Sequence, residues 1–215
     1  MNKNVSIAIT TALVMNCGIV NAQEATNIGK HNITLSKNVM TPETLWAMGR
    51  IGNAQASPDG NKIVYQVGYY SVKENRGHQV ICVMDSDGKN VRQLTTSAKS
   101  EVSPTWLDDH TIAFLLDGQI WSMNSDGSYR KKLSSSDIEI EGFRFSPDRK
   151  KVLLIKSIPY YGTIKKNPSD LPKASGRLIT DMNYRHWDHY VETIAHPFVA
   201  EVTANGISKN DVDII

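Results

Sequence analysis

The chain has 215 residues, with 24 Lys and Arg against 22 Asp and Glu and a formal charge of +2. This balance gives no electrostatic case for nucleic acid or an anionic membrane surface, so neither is expected as a partner. Two cysteines, Cys17 and Cys82, cannot supply a disulfide framework.

The first 22 residues read as a secretory signal peptide. Lys3 precedes an uncharged apolar or small stretch from Val5 to Val20, and Val20-Asn21-Ala22 fits the small-residue cleavage pattern, leaving Gln23 as the new start. That apolar core is short for a membrane span, and no other stretch approaches the ~20 apolar residues a span needs. Export, to a periplasm, is therefore expected. Val14-Met15-Asn16 before Cys17 is a poor context for lipid attachment, and Cys82, within Val80–Met84, reads as a small core residue. Residues 23–40 are polar and irregular, a flexible lead-in.

Residues 41–53 read as a short helix and its run into the next element. Thr41 suits the N-cap, Pro42 the first helical position, and Glu43 complements the positive helix end. Leu45, Trp46 and Met48 offer an apolar face, with Gly49 or Gly52 as the stop.

From residue 54 a unit recurs. Ser57-Pro58-Asp59-Gly60 leads into Ile63–Val67, then Val80–Met84, an Asp87-Gly88 turn and Leu94-Thr95. The unit restarts at Ser103-Pro104, passes through Ile112–Leu116 and Ile120–Met123, and reaches Asp126-Gly127 and Leu133-Ser134. A third start lies at Ser146-Pro147-Asp148-Arg149, followed by Val152–Ile155. A period of about 40–45 residues holding four short strands is the pattern of a propeller blade. Pro presets one turn corner, and Asp-Gly between β-branched runs predicts type I′ hairpins with positive φ at both central residues. The expected fold is all-β: a partial β-propeller over 54–215, about three four-stranded blades of a longer propeller.

In the third unit the pattern breaks after Ile155. Residues 158–195 read as an insertion between two strands, with the strand resuming at Pro197-Phe198-Val199 and Asn205-Gly206 replacing Asp-Gly. Insertions in repeat folds fall on one face, often the binding face. Within this one, Arg185 and Asp188 read as an ion pair that orders the loop over Trp187. Asp188 or Glu192 is the candidate to meet a cationic substrate group. His186 and His189 lie three apart, with Asp188 and His196 nearby, but no third ligand falls at helical spacing and no His-Glu-x-x-His occurs. No metal and no cofactor are expected.

The repeat resembles those of TolB-type propellers and of the propeller in the prolyl oligopeptidase family of serine peptidases (S9). Asp170-Leu171-Pro172-Lys173-Ala174, Tyr184-Arg185-His186-Trp187-Asp188 and His196-Pro197-Phe198-Val199, with Met40-Thr41-Pro42-Glu43, resemble the exported bacterial dipeptidyl and acylaminoacyl peptidases of S9. That resemblance covers residues 39–204. It implies an N-terminal propeller that restricts access and helps hold the substrate N-terminus. It also implies a C-terminal α/β-hydrolase domain carrying Ser, Asp and His. The chain has no G-x-S-x-G, so no catalytic residue is carried over. The resulting expectation is the substrate-gating front part of a serine exopeptidase, inactive alone, working on peptide N-termini with the absent hydrolase domain. The alternative is a TolB-like propeller that binds a protein partner in the periplasm without catalysis.

Overall fold

A computed structural model of the chain describes residues 28–33, 39–159, 164–165, 178–179 and 193–215. The expected signal peptide, most of the lead-in and most of the insertion lie outside the described residues.

Helix α1 (Pro42–Ala47) opens as its sequence dictates: the Thr44 N–H donates to Thr41 Oγ1 at 3.2 Å, and Pro42 needs no acceptor. Its apolar face is not buried. Leu45 and Trp46 remain 49% and 45% exposed. The helix ends at its Met48 C-cap, directly before Gly49, one of the two expected stops, and the backbone is strand from Arg50. Arg50 then lies over both Trp46 and Tyr70, 5.3 and 4.3 Å from the ring centroids, which ties the helix to the first sheet.

The described strands form three four-stranded antiparallel sheets, each a simple meander. The first comprises β1 (Arg50–Ala56), β2 (Lys62–Ser71), β3 (Arg76–Asp85) and β4 (Arg92–Gln93). The second comprises β5 (Glu101–Trp106), β6 (Thr111–Leu116), β7 (Gln119–Asn124) and β8 (Lys131–Lys132). The third starts with β9 (Ile140–Phe145) and β10 (Lys151–Pro159). A short ladder of β11 (Ile164–Lys165) and β12 (Leu178–Ile179) intervenes, and the sheet ends with β13 (Thr193–Thr203) and β14 (Gly206–Asp213).

The sheets stack face to face through apolar layers. Val64, Ile81 and Val83 of the first meet Trp106, Ile112, Phe114 and Met123 of the second. On the other side of the second sheet, Ala113, Leu115 and Ile120 meet Ile140, Val152, Leu154, Phe198 and Ala200 of the third. Burial on both faces explains the near-continuous apolar run at 112–116, whereas β10 alternates, with Val152 and Leu154 buried and Leu153 and Ile155 half-buried.

The repeat is real, but its register differs from the sequence reading in the second unit. In the first and third sheets the turn after the inner strand is the Ser-Pro-Asp turn. Ser57 Oγ donates to Asp59 and accepts from the Lys62 N–H; Ser146 does the same with Asp148 and Lys151. In the second sheet Ser103-Pro104 instead sits inside β5, where Ser103 takes φ 56° in a bulge between Val102 and Thr105. The turn there is made by Asp108, whose carboxylate accepts from the N–H groups of His110 and Thr111. Local chemistry decided this, since Thr105 rather than an Asp follows Ser103-Pro104.

The hairpin reading also shifts. At Asp87-Gly88 and Asp126-Gly127 only the glycine has positive φ, 82° and 90°, so these are not type I′ turns. The Gly N–H closes each turn on the carbonyl of Asp85 or Asn124. Two adjacent positive φ values, 55° and 65°, occur at Asp117-Gly118 between β6 and β7, the pattern type I′ requires.

Each third strand hands its fourth strand the same hydrogen bond: Leu94, Leu133 and Ile214 donate to the carbonyls of Ile81, Ile120 and Pro197. In the first two sheets the next residue supplies a hydroxyl. The Ile81 N–H donates to Thr95 Oγ1 at 2.9 Å, and the Ile120 N–H to Ser134 Oγ at 2.8 Å. In the third sheet the corresponding residue is Pro197, which has no N–H, and the following residue is Ile215.

Candidate functional site at the insertion-bearing end

Meander topology sorts the connections onto two faces. The β1–β2 and β3–β4 turns adjoin, as the bond from Ser86 N–H to the Asn61 carbonyl shows; Ser125 and His110 repeat it in the second sheet. The β2–β3 and β6–β7 hairpins lie at the opposite face, together with α1 and the ends of β10 and β13 between which the insertion falls.

β10 and β13 pair without interruption from Lys151↔Glu201 to Pro159↔Thr193. The strands therefore run further than expected, and the insertion narrows from 158–195 to residues 160–192. Within it the backbones of β11 and β12 pair at Ile164↔Ile179 and Lys165↔Leu178. The residues singled out from sequence, Arg185, His186, Trp187, Asp188 and Glu192, fall between β12 and β13. They lie outside the described residues.

The strands that flank the insertion carry two ion pairs. Lys156 and His196 are direct cross-strand partners on β10 and β13. Lys156 is buried; its Nζ lies 2.6 Å from Asp211 Oδ2 on β14 and 4.0 Å from the Phe198 ring centroid. His196 Nδ1 lies 2.8 Å from Asp213 Oδ2. This hydrogen bond is the main cause that holds the Asp213 carboxyl below its ordinary 3.8. His196, weighed from sequence as a metal ligand, thus serves to fix the last strand. Among the described residues no group of three or more His, Cys, Asp or Glu is placed to hold a metal ion.

Sequence reasoning missed the pair of Glu101 and Arg130. Glu101 is fully buried, receives Arg130 on Oε1, and has no partner for Oε2. Arg130 lies over the Phe114 ring, 5.1 Å from its centroid. Arg130 stands in the basic run Arg130-Lys131-Lys132, and a partner 29 residues away leaves no local signal. On the opposite face a cleft of about 280 Å³ is lined by Lys62, Val83, Met84, Asp85, Asn90 and Arg92. Its carboxylate is already taken, because Asn90 and Lys62 both donate to Asp85.

No family model matches the chain. A dipeptidyl-peptidase 5 of Porphyromonas gingivalis is 36% identical over 220 aligned residues, which take in 100% of this chain and 31% of that protein. A dipeptidyl-peptidase 5 of Porphyromonas endodontalis is 35% identical over 82% of the chain and 26% of that protein. The chain thus spans about a third or less of the length of these relatives. Among solved structures, acylaminoacyl peptidase of Pyrococcus horikoshii superposes with a TM-score of 0.53 at 11% identity, over 79% of this chain and 26% of that one. The chain is a β-propeller portion, similar in sequence to these dipeptidyl-peptidases. Its three meander sheets are blades, with β1, β5 and β9 innermost and β4, β8 and β14 outermost. The insertion leaves the propeller from the middle hairpin of its third blade.

Proposed function

We propose that the chain is the N-terminal, substrate-gating part of an exported serine exopeptidase of the S9 family, releasing dipeptides or acyl-amino acids from peptide N-termini. The observation that carries this reading is the 36% identity to a dipeptidyl-peptidase 5 across the whole chain. The acyl transfer belongs to an α/β-hydrolase domain joined to this one. There a Ser on a G-x-S-x-G elbow, an Asp and a His supply nucleophile, orienting carboxylate and general base. This chain contributes walls and an anchor. A peptide α-amino group, with an ordinary pKa near 7.7–8.0, is largely protonated at neutral pH and pairs with a carboxylate. Asp188 and Glu192, on the insertion, are the proposed carboxylates. The stretch Val5–Ala22 supports export as a cleaved signal.

The test uses a dipeptidyl chromogenic substrate. Purified 1–215 is expected to release no product, and the protein extended through its hydrolase domain to release it. In the extended protein, Asp188→Asn or Glu192→Gln should raise KM for substrates with a free N-terminus and leave kcat nearly unchanged, the signature of lost uniform binding. Cleavage by 1–215 alone would contradict the division of labour. Unchanged KM in both variants would remove these carboxylates as the anchor.

A further inference from the structure

We propose that Arg50 is a receptor for a carboxylate of the peptide substrate, held ready at the mouth of the propeller channel on the insertion-bearing end. The proposal deepens the peptidase reading and rests on it for the ligand being a peptide. Arg50 is the first residue of β1, the innermost strand of its blade, and innermost strands line the central channel of a propeller. It stands at the end of β1 where α1 enters the sheet.

Arg50 is exposed, and among the described residues its guanidinium has no hydrogen bond and no ion pair with the protein. Aromatic rings hold it instead. Its Cζ lies 4.3 Å from the centroid of Tyr70 and 5.3 Å from that of Trp46. The two rings meet edge to face, with centroids 5.9 Å apart. A ring attracts the charge but supplies no lone pair, so the N–H fork keeps its capacity for a bidentate carboxylate.

The platform under the cation is itself cleared by sequence. Gly68 is the cross-strand partner of Arg50, and Gly77 that of Tyr70. A Cβ at Gly77 would lie 3.1 Å from the Tyr70 ring. Neither glycine has positive φ, so backbone conformation does not call for them; room for the ring does. An arginine needed only to fasten α1 would gain more from a carboxylate on a neighbouring element. Glu43 on α1 and Glu74 in the β2–β3 turn are such carboxylates, and neither pairs with it.

The insertion, with the two carboxylates proposed for the substrate amino group, falls at the same end of the propeller. A peptide carries an ammonium group at one end and a carboxylate at the other or in its side chains. Two sites of opposite sign at one end of the channel fit that pattern and set the direction in which the peptide lies.

The experiment uses the protein extended through its hydrolase domain and two pairs of short peptides. One pair differs only in a free or amidated C-terminus. The other is amidated and differs only in Asp or Asn beyond the scissile bond. In one pair the acid is expected to be favoured roughly tenfold to a hundredfold in kcat/KM, carried by KM and shrinking with added salt. The pair that responds names the source of the carboxylate. Arg50→Gln should make acid and amide equal, and Arg50→Lys should keep part of the preference, because the charge stays while the fork is lost. A merely structural role would slow acid and amide alike and leave their ratio intact. Equal kcat/KM within both pairs for the unmutated protein would overturn the proposal and leave the peptidase reading standing. An acid preference that survives in Arg50→Gln would also overturn it. Arg50→Lys covers the case in which Arg50→Gln fails to fold. An extended protein that cleaves no peptide would remove the peptidase reading; calorimetric binding of the same pairs then decides on Arg50, and equal affinities would overturn its role.

Discussion

In the first two blades the N–H groups of Ile81 and Ile120, both fully buried residues, turn toward the outer edge and are met by Thr95 and Ser134. In the third blade the same place is held by Pro197, and the position after the outer strand is Ile215 rather than a hydroxyl residue. The outer strands differ as well: β4 and β8 have 2 residues each, whereas β14 has 8. A short outer strand leaves a third-strand N–H exposed to need, and a hydroxyl one residue on supplies the acceptor. A proline removes the need. A buried donor must be paired or absent, and this chain uses both solutions.

The largest expected effects come from contrasting the buried ion pairs of the second and third blades. Arg130→Met would strand the Glu101 carboxylate, which is wholly buried and already has one unpaired oxygen, and should cost about 3–5 kcal/mol. Lys156→Met leaves Asp211, with 15% side-chain exposure, better placed to find water, so its cost should be smaller. Urea unfolding of the two variants should rank them in that order. Equal losses would show that burial does not decide the difference.

Glycines at the blade junctions give the next contrast. A Cβ at Gly206 would lie 2.5 Å from the Leu133 carbonyl oxygen, whereas at Gly127 it would lie 3.3 Å from that of Leu94. Both have positive φ, 134° and 90°. Gly206→Ala must part the second and third blades and should cost about 2–4 kcal/mol; Gly127→Ala should cost about 1–2 kcal/mol. Thermal unfolding checks the ranking, and a milder Gly206 variant would mean that β14 shifts freely.

Thr95→Val and Ser134→Ala should each cost about 1–3 kcal/mol by leaving a buried N–H without an acceptor. Pro197→Ile should create the same defect in the third blade, and adding Ile215→Thr should recover part of the loss. A double-mutant cycle measures this coupling; additive losses would separate the third blade from the rule seen in the other two.

The smallest effect is in acid. The turn carboxylates Asp59, Asp126 and Asp148 are held below their ordinary 3.8, chiefly by side-chain hydrogen bonds from Ser57, Ser128 and Ser146. Their folded values are depressed, so their stabilisation is present above 3.8 and is lost as pH falls through the folded values. The melting temperature should fall below about pH 4, and less so in Ser57→Ala and Ser146→Ala. An identical acid slope in these variants would remove the turns as its source.

Most of the architecture was legible because it rests on local chemistry. The Ser-Pro-Asp turns, the Thr41 cap and the apolar runs each declare themselves within a few residues. The second unit misled because Ser103-Pro104 reproduces the turn dipeptide in a bulge, while Asp108-Asp109-His110 makes the turn without Pro or Gly. Long-range pairing left no trace: Glu101 with Arg130, Lys156 with Asp211 and His78 with Ile28 are separated by 29, 55 and 50 residues. Leu45 and Trp46 suggested a buried helix face, but a helix of 6 residues on the rim of one blade has little surface to bury them against. Cys82 was read correctly, and burial pushes its thiol up to about 11, which makes it inert at neutral pH.

The central claim, that this propeller portion serves a serine peptidase, is tested most directly by reading the coding sequence past codon 215. The account predicts an open frame running through further Ser-Pro-Asp repeats to a G-x-S-x-G elbow, followed in order by an Asp and a His. A stop codon at that point, in a stably produced protein, would contradict it.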